Sequence, residues 1–291
     1  MLPCSDLAWA GLSASAGRSA AAAQLPSAPF HLQNLHRAMS APPTASTFAE
    51  PLQGTWIMFQ KWRHLLFASW PLAPDEMRRH VPPNFELDTF DGKAWLSLVP
   101  MHMEDLHFRF FPPIPGTSDF PEINVRTYVQ VPGRNGKPAG RGVYFFSIDA
   151  SCWLGSLVAR WFFHTPYQYA HMRLSERGTY HHMAVHRNAS RGSLAADFVA
   201  TYGPIGEPSA PPDGSLAAFL VNRDTAFAVS HGVLYWGPIR HAPWMLADAE
   251  ADFEVNSLAA AVGITLPDVK PQLHYSRGTN TELCFVEPFR A

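Results

Sequence analysis

From Trp56 to the C-terminus, apolar and polar residues alternate with a period of two in many short runs, which predicts a body built mainly of β-strands. The most informative run is 120–129, Phe-Pro-Glu-Ile-Asn-Val-Arg-Thr-Tyr-Val. As a strand it carries apolar and β-branched residues on one face and four polar side chains on the other: Glu122, Asn124, Arg126 and Tyr128. A row of this kind faces either bulk water or a polar cavity, and the residues alone leave both open. If it faces a cavity, this strand is the floor of a small-molecule site.

Other strands follow from the same pattern. Residues 85–90 and 93–99 form a predicted hairpin across the Asp91-Gly92 turn. Further predicted strands cover 142–149, 179–187, 197–202, 233–240, 272–276 and 282–289. Because short turns connect antiparallel neighbours, the pattern favours a meander or a barrel.

Four helices are predicted between the strands, at 75–80, 153–163, 215–227 and 247–262. The segment 153–163 is apolar almost all round, so we expect it to be buried. In the last segment Gly263 occupies the position of a C-cap glycine. No repeat or internal linker is visible, so 49–291 is predicted to be one α+β domain.

Composition narrows the class of protein. Of 291 residues 47% are hydrophobic and 16% charged, and the net charge is -2, which argues for a globular body without a field favouring nucleic acid or an anionic membrane. No window offers the roughly 20 apolar residues of a membrane helix. The three cysteines form no Cys-x-x-Cys pair, which indicates a reduced, cytoplasmic protein.

Residues 1–48 differ from the rest: they are rich in Ala, Ser and Pro, and no acidic residue lies between Asp6 and Glu50. We interpret them as a disordered extension, or as sequence upstream of a natural start at Met39. An organellar transit peptide is the alternative, since such peptides are poor in acids and carry Ser and Arg.

Candidate chemistry outside the polar row is sparse. Arg160 lies late in the predicted apolar helix, where it either stabilises the helix C-terminus or binds an anion. His182 and His186 share one strand face but lie about 13 Å apart, too far to bind one metal. A metal site would have to be assembled from distant segments, so neither a metal nor a cofactor is predicted. Nucleotide-binding and serine-hydrolase motifs are absent from the sequence.

Several segments, taken in order, resemble the YqjF-like family, also known as domain of unknown function 2071. They span about residues 56–287 and comprise 64–70, 82–92, 122–129, 142–150, Arg160 with Pro166 and Tyr167, and 241–244. The resemblance implies membership of the acetoacetate decarboxylase-like superfamily. That superfamily has a cone-shaped antiparallel β-barrel, surrounded by helices and enclosing a ligand cavity. The resemblance therefore implies that the polar row at 122–128 faces this cavity.

The resemblance also supplies a chemical test. Decarboxylases of that superfamily form a Schiff base through a lysine that follows a proline after the buried helix. The corresponding tract here is Thr165-Pro166-Tyr167-Gln168-Tyr169, without a lysine, and the whole chain has four lysines: Lys61, Lys93, Lys137 and Lys270. Arginine cannot substitute, because its pKa leaves no nucleophilic nitrogen. We therefore predict no decarboxylation through an imine.

The function predicted from the sequence is binding of a small carboxylate- or carbonyl-bearing molecule inside the barrel. The candidate residues are Arg126 and Arg160 for anion contact, Glu122 as acid, base or orienting group, Asn124, Tyr128 and Tyr167 for hydrogen bonds, and His64 and His241 near the cavity mouth. A lyase, isomerase or hydrolase that uses Glu122 as general base is the alternative. Expected partners are the ligand and, in an oligomer, further copies of the chain, with no nucleic acid and no membrane.

Overall fold

The computed structural model describes residues 55–131, 140–190 and 192–289, which fall in a single contact unit. The extension 1–48 and Lys137 lie outside these residues. The strands are β1 (Trp56–Leu72), β2 (Glu86–Leu87), β3 (Ala94–Phe108), β4 (Phe120–Val131), β5 (Gly140–Ala150), β6 (Tyr167–Tyr169), β7 (His171–Arg177), β8 (Tyr180–Arg187), β9 (Ala196–Ser209), β10 (Thr225–Ser230), β11 (Val233–His241), β12 (Leu246–Asn256), β13 (Gln272–Cys284) and β14 (Glu287–Pro288). The helices are α1 (Pro74–Arg78), α2 (Trp153–Phe162), α3 (Leu216–Val221) and α4 (Leu258–Ala261). None of the described helices is long and apolar enough to cross a membrane.

Seven of the strands close into a barrel. Their order is β11-β10-β5-β4-β3-β1-β13, and β13 pairs with β11 to complete the ring. Most pairs are antiparallel, as predicted, but β5 pairs in parallel with both β10 and β6. A parallel pair needs a long connection, and here 74 residues separate the end of β5 at Ala150 from the start of β10 at Thr225.

A second layer covers one side of this barrel. The strands β12, β9, β8 and β7 continue the sheet from β13, and β8 and β9 pack on the outer face of β1, β3 and β4. Leu66, Ile123 and Val125 from the barrel meet Val185 and Phe198 in this interlayer core. The opposite faces of the same barrel strands point inward and form a separate cluster that includes Phe67 and Tyr128. One barrel wall is therefore buried on both of its faces.

Most predicted strands are confirmed. The Asp91-Gly92 turn is present, with φ of 49° and 71°, and one bridge joins Phe90 to Lys93. Beyond that bridge the predicted hairpin does not form, because β2 pairs with β4. The predicted strands 272–276 and 282–289 are mostly one long strand, β13, with β14 after it.

The helix predicted at 247–262 is wrong for most of its length. Residues 246–256 form β12, and helix is confined to α4. The sequence alternates small or aromatic residues with acids: Ala249, Ala251 and Phe253 pack against the core, while Glu250 and Asp252 are exposed. Alanine and glutamate favour helices, but this period of two buries one face of a strand, and that burial outweighs the helix propensity. The helix predicted at 215–227 is likewise shortened to α3, and its last residues begin β10.

The prediction that segment 153–163 is buried is also wrong. Helix α2 forms, but Trp153, Trp161 and Phe162 are 60%, 76% and 67% exposed. Its other side, with Leu154 and Val158, lines a pocket. The helix is thus a wall between that pocket and the outside, and no described residue covers its apolar outer side.

A buried ion pair connects the two layers. Arg187 on β8 donates from Nη1 to both carboxylate oxygens of Asp149 on β5 at 2.8 Å, and the two side chains are 2% and 0% exposed. Burial raises the pKa of Asp149, and the Arg187 charge opposes that rise. Losing one partner would leave the other charge buried and uncompensated.

We predict that Asp149→Asn lowers the free energy of unfolding by about 3–5 kcal/mol, the usual cost of breaking a buried pair from one side. Urea unfolding followed by circular dichroism measures it. Glu104→Gln, which removes a half-exposed partner of Arg63, is the control and should change stability by less than about 1 kcal/mol. Equal losses in the two variants would contradict the structural role of the interlayer pair.

Candidate functional site

A pocket of about 540 Å³ lies inside the barrel. Its size is in the range of small-molecule sites. Most of its wall is apolar and comes from β1, β3, β5, β11, β13, the segment 108–118, α2 and the connection 242–245. Representative residues are Phe67, Met101, Phe145, Ile239 and Trp244. A pocket with this lining suits a ligand that is apolar over much of its surface.

The polar groups of the pocket converge from β4. Glu122, Asn124 and Arg126 line it and are only 4%, 3% and 8% exposed. β4 lies between β3 and β5, with Glu122 opposite Met101 and Ala150, so the row is held in the middle of the barrel wall. Of the two orientations that the residues alone left open, the structure has the inward one.

Glu122 is paired with a tyrosine. The Tyr167 hydroxyl donates to Glu122 Oε2 at 2.9 Å, and Tyr167 also lines the pocket. Burial raises the pKa of Glu122 from 4.5 to about 7, while the Tyr167 hydrogen bond lowers it and the charge of Asp149 adds a smaller rise. Burial and the adjacent carboxylate also raise the pKa of Tyr167. Glu122 is thus able to give or take a proton near neutral pH.

Arg126 is a buried cation without an acidic partner among the described residues. Its Nη2 donates to the carbonyl oxygen of Leu220 at 3.3 Å, and its guanidinium lies 5.5 Å from the ring centroid of Phe67. Arg126 Nε and Asn124 Oδ1 are buried and have no hydrogen-bond partner within the part of the chain that the structure describes. A buried donor or acceptor left unpaired costs about 1–3 kcal/mol, so both atoms favour a polar ligand.

Two further candidates lie next to the pocket without lining it. Tyr128, the fourth residue of the polar row, is fully buried, and its hydroxyl shares a 2.6 Å hydrogen bond with Ser97 Oγ. His241 packs its ring 4.9 Å from that of Trp244, a pocket residue, and burial lowers its pKa. These positions make them supports of the wall.

The last two candidates lie elsewhere. Arg160 is exposed on α2 and is not among the lining residues. His64 is not at the cavity mouth: it lies on the outer face of β1, where its ring meets that of His181 from the second layer at 4.2 Å. The physical reason is a change of phase in β1 at His64, where φ is 54°: Trp62 lines the pocket before it, and after it Leu65 and Phe67 point inward.

The sequence interpretation missed most of the apolar wall. Gln60, Trp62 and Met103, together with the segment 108–118, line the pocket alongside the polar row. These residues look like ordinary core positions, and no local signal marks them; only the closure of the ring brings them opposite β4.

The fold defines the class of protein. It is similar to acetoacetate decarboxylase from Legionella pneumophila, with a TM-score of 0.57 and 14% identity over 92% of this chain and 98% of that one. It is also similar to the enduracididine biosynthesis enzyme MppR in complex with pyruvate, with a TM-score of 0.55 and 14% identity over 86% of this chain and 95% of that one. The chain therefore has the acetoacetate decarboxylase-like fold.

Within that class, the chain belongs to the family described as an uncharacterized conserved protein, domain of unknown function 2071, whose model matches residues 59–280. The uncharacterized protein YqjF of Bacillus subtilis is 42% identical over 224 residues, which cover 77% of this chain and 89% of that protein. The resemblance inferred from the sequence is confirmed.

The raised pKa of Glu122 predicts a pH dependence of stability. Between pH 4.5 and about 7 the folded chain keeps the Glu122 proton that the unfolded chain has lost, so stability falls as pH rises through that window. At about 1.4 kcal/mol per pKa unit, the loss is about 3 kcal/mol. Urea unfolding of Glu122→Gln at both ends of the window should remove most of this difference, and Glu207→Gln, on an exposed residue, should not. A wild-type slope unchanged by Glu122→Gln would contradict the assignment.

Proposed function

We propose that the barrel pocket binds a small molecule with a carboxylate or carbonyl group at one end and an apolar body. The observation that carries this proposal is the inward row of Glu122, Asn124 and Arg126, set in an otherwise mainly apolar wall. In this proposal, the pocket is the ligand cavity that the family resemblance implies. The cone shape of the barrel stays a prediction.

Arg126 is the proposed contact for the anionic or carbonyl oxygen. Its guanidinium is buried without a neighbouring carboxylate among the described residues, and its Nε proton is unpaired. A ligand carboxylate would compensate the charge and accept that proton, giving a charge-assisted hydrogen bond. Asn124, two positions along the same face, presents its amide to the next polar atom of the ligand.

The apolar end of the ligand then lies toward α2 and the segment 108–118. Leu154, Val158 and Phe163 line the pocket from the α2 side, and Phe111 and Ile114 from the other. Two proteins of similar fold are an acetoacetate decarboxylase and an enzyme in complex with pyruvate. Acetoacetate and pyruvate are both small carboxylates with a carbonyl, which supports the proposed ligand class.

A lysine-independent enzyme is the second candidate function, and the pKa of Glu122 near 7 favours it. A general acid or base works best when its pKa lies near the operating pH. Glu122 would take a proton from the bound molecule in a lyase, isomerase or hydrolase reaction while Arg126 holds the anion. Arg160 has no part in this version, because it is exposed and away from the pocket lining.

The arginine assignment is tested by calorimetric titration with pyruvate and with butyrate. Arg126→Ala should weaken binding of both by about 10- to 100-fold, because a hydrogen bond to a charged group contributes about 1.5–3 kcal/mol. Arg160→Ala is the matched control and should bind like the wild type. If Arg126→Ala binds both acids as the wild type does, or the wild type binds neither, the proposal fails.

Imine chemistry has no support in the pocket. Lys61 pairs with Asp105 at 2.8 Å, Lys93 and Lys270 are exposed, and no lysine is found among the described lining residues. Borohydride reduction in the presence of acetoacetate should therefore leave the mass of the protein unchanged. A covalent adduct on any lysine, located by peptide mass spectrometry, would defeat this prediction.

A further inference from the structure

We infer that His64, Glu176 and His181 form a binding site for a divalent transition-metal ion on the outer face of the barrel, separate from the pocket. The three residues come from β1, β7 and β8, and one ligand atom from each lies within 4.8 Å of the other two. His64 Nε2 lies 3.2 Å and His181 Nδ1 lies 3.7 Å from Glu176 Oε1. An ion bound tetrahedrally with bonds of about 2.0–2.1 Å separates its ligand atoms by about 3.3 Å, so small side-chain movements complete the site.

Each imidazole directs one ring nitrogen toward Glu176, because the hydroxyl of Tyr275 hydrogen-bonds the other ring nitrogen of each. Tyr275 Oη lies 3.0 Å from His64 Nδ1 and 2.9 Å from His181 Nε2. Metal-binding histidines are commonly fixed through their second nitrogen by a polar partner of this kind. Here a single tyrosine fixes both rings.

With both rings neutral, the available protons leave one unfavourable contact in this arrangement. Tyr275 has one hydroxyl proton, so it donates to at most one ring, and the other ring must donate to it. If neutral, that second ring directs an unprotonated nitrogen at the Glu176 carboxylate, where two lone pairs repel. A cation between them removes the repulsion.

His181 Nδ1 gives an independent observation. His181 is 3% exposed, and its Nδ1 has no hydrogen-bond partner among the described residues although it is directed at Glu176.

The backbone at His64 has an uncommon conformation. Its φ is 54°, an uncommon value for a residue other than glycine, and the pairing of β1 with β3 shifts register between Arg63 and Ala68. The Tyr202 hydroxyl from β9 donates to the His64 carbonyl oxygen at 3.1 Å. Left-handed residues of this type cluster at ligand-binding sites, where the surroundings hold them.

Two imidazoles and one carboxylate suit zinc and its neighbours in the first transition row, and they leave a coordination position for water or a ligand. Glu176 is 57% exposed on the edge strand β7, so the ion has access from solvent. A bound ion would tie β7 and β8 to the barrel strand β1.

The test is titration of the chelator-treated full chain with Zn²⁺ by calorimetry and with Co²⁺ by visible absorption. The wild type should bind one Zn²⁺ at this site, and Co²⁺ should give the visible bands of a site with nitrogen and oxygen ligands. Glu176→Gln should weaken the Zn²⁺ Kd by more than about 100-fold and abolish the Co²⁺ bands, since losing a ligand costs more than losing an outer partner.

Two further variants test the role of Tyr275 and serve as a control for the loss of a carboxylate. Tyr275→Phe, which retains all three ligands, should weaken Zn²⁺ by about tenfold, and Glu207→Gln, an exposed residue, should bind like the wild type. Equal Kd values for Glu176→Gln and Glu207→Gln overturn the site, as does a wild type that binds no Zn²⁺. Thermal unfolding of the metal-free variants checks that each one is folded before titration.

Discussion

The strand β4 is covered on both faces, and the rest of the site depends on that burial. Its odd-numbered residues, among them Ile123 and Val125, pack against the second sheet, and Glu122, Asn124 and Arg126 point into the barrel. Without the second layer, the barrel wall would have one wet face, and the polar row could turn to water by a one-residue register slip. With the second layer present, both faces of β4 are buried, and the face that packs against that layer is the apolar one.

Burial gives this row its chemistry. Four residues along a strand span about 13 Å, so Glu122 and Arg126 on one face are not positioned to neutralise each other. Burial raises the pKa of Glu122, and Arg126 places a buried guanidinium elsewhere on the same face. The result is a pocket that is electropositive at one point and holds a titratable acid at another. This asymmetry favours a ligand with an anionic or carbonyl end.

Much of this was predictable from the sequence. The alternation in 120–129 gave the strand and its polar face, and the family segments gave the barrel, because both are local patterns. The residues alone left the orientation of the row open, since it depends on strands β8 and β9 far along the chain, and only the family resemblance favoured the inward side. The same holds for His64: its partner is His181, next to the His182 and His186 that spacing had drawn attention to. Only the folding of the second sheet over the barrel brings these rings together.

The errors have a common cause. The segment that forms β12 was predicted as part of a helix ending at the C-cap glycine Gly263, although its period of two fits a strand with one buried face. The apolar helix α2 was assigned to the core because hydrophobicity was equated with burial, whereas its outer side is exposed among the residues that the structure describes. In both segments the order of the side chains can be read from the local sequence, but the surface against which they pack comes from distant parts of the chain.

A crystal structure of the chain grown with pyruvate tests the central claim most directly. The account predicts the acid inside the barrel, with its carboxylate within hydrogen-bond distance of the Arg126 guanidinium and its carbonyl oxygen facing Asn124 or Glu122. Arg126 paired with a carboxylate of the protein itself, or pyruvate bound only outside the barrel, would contradict it.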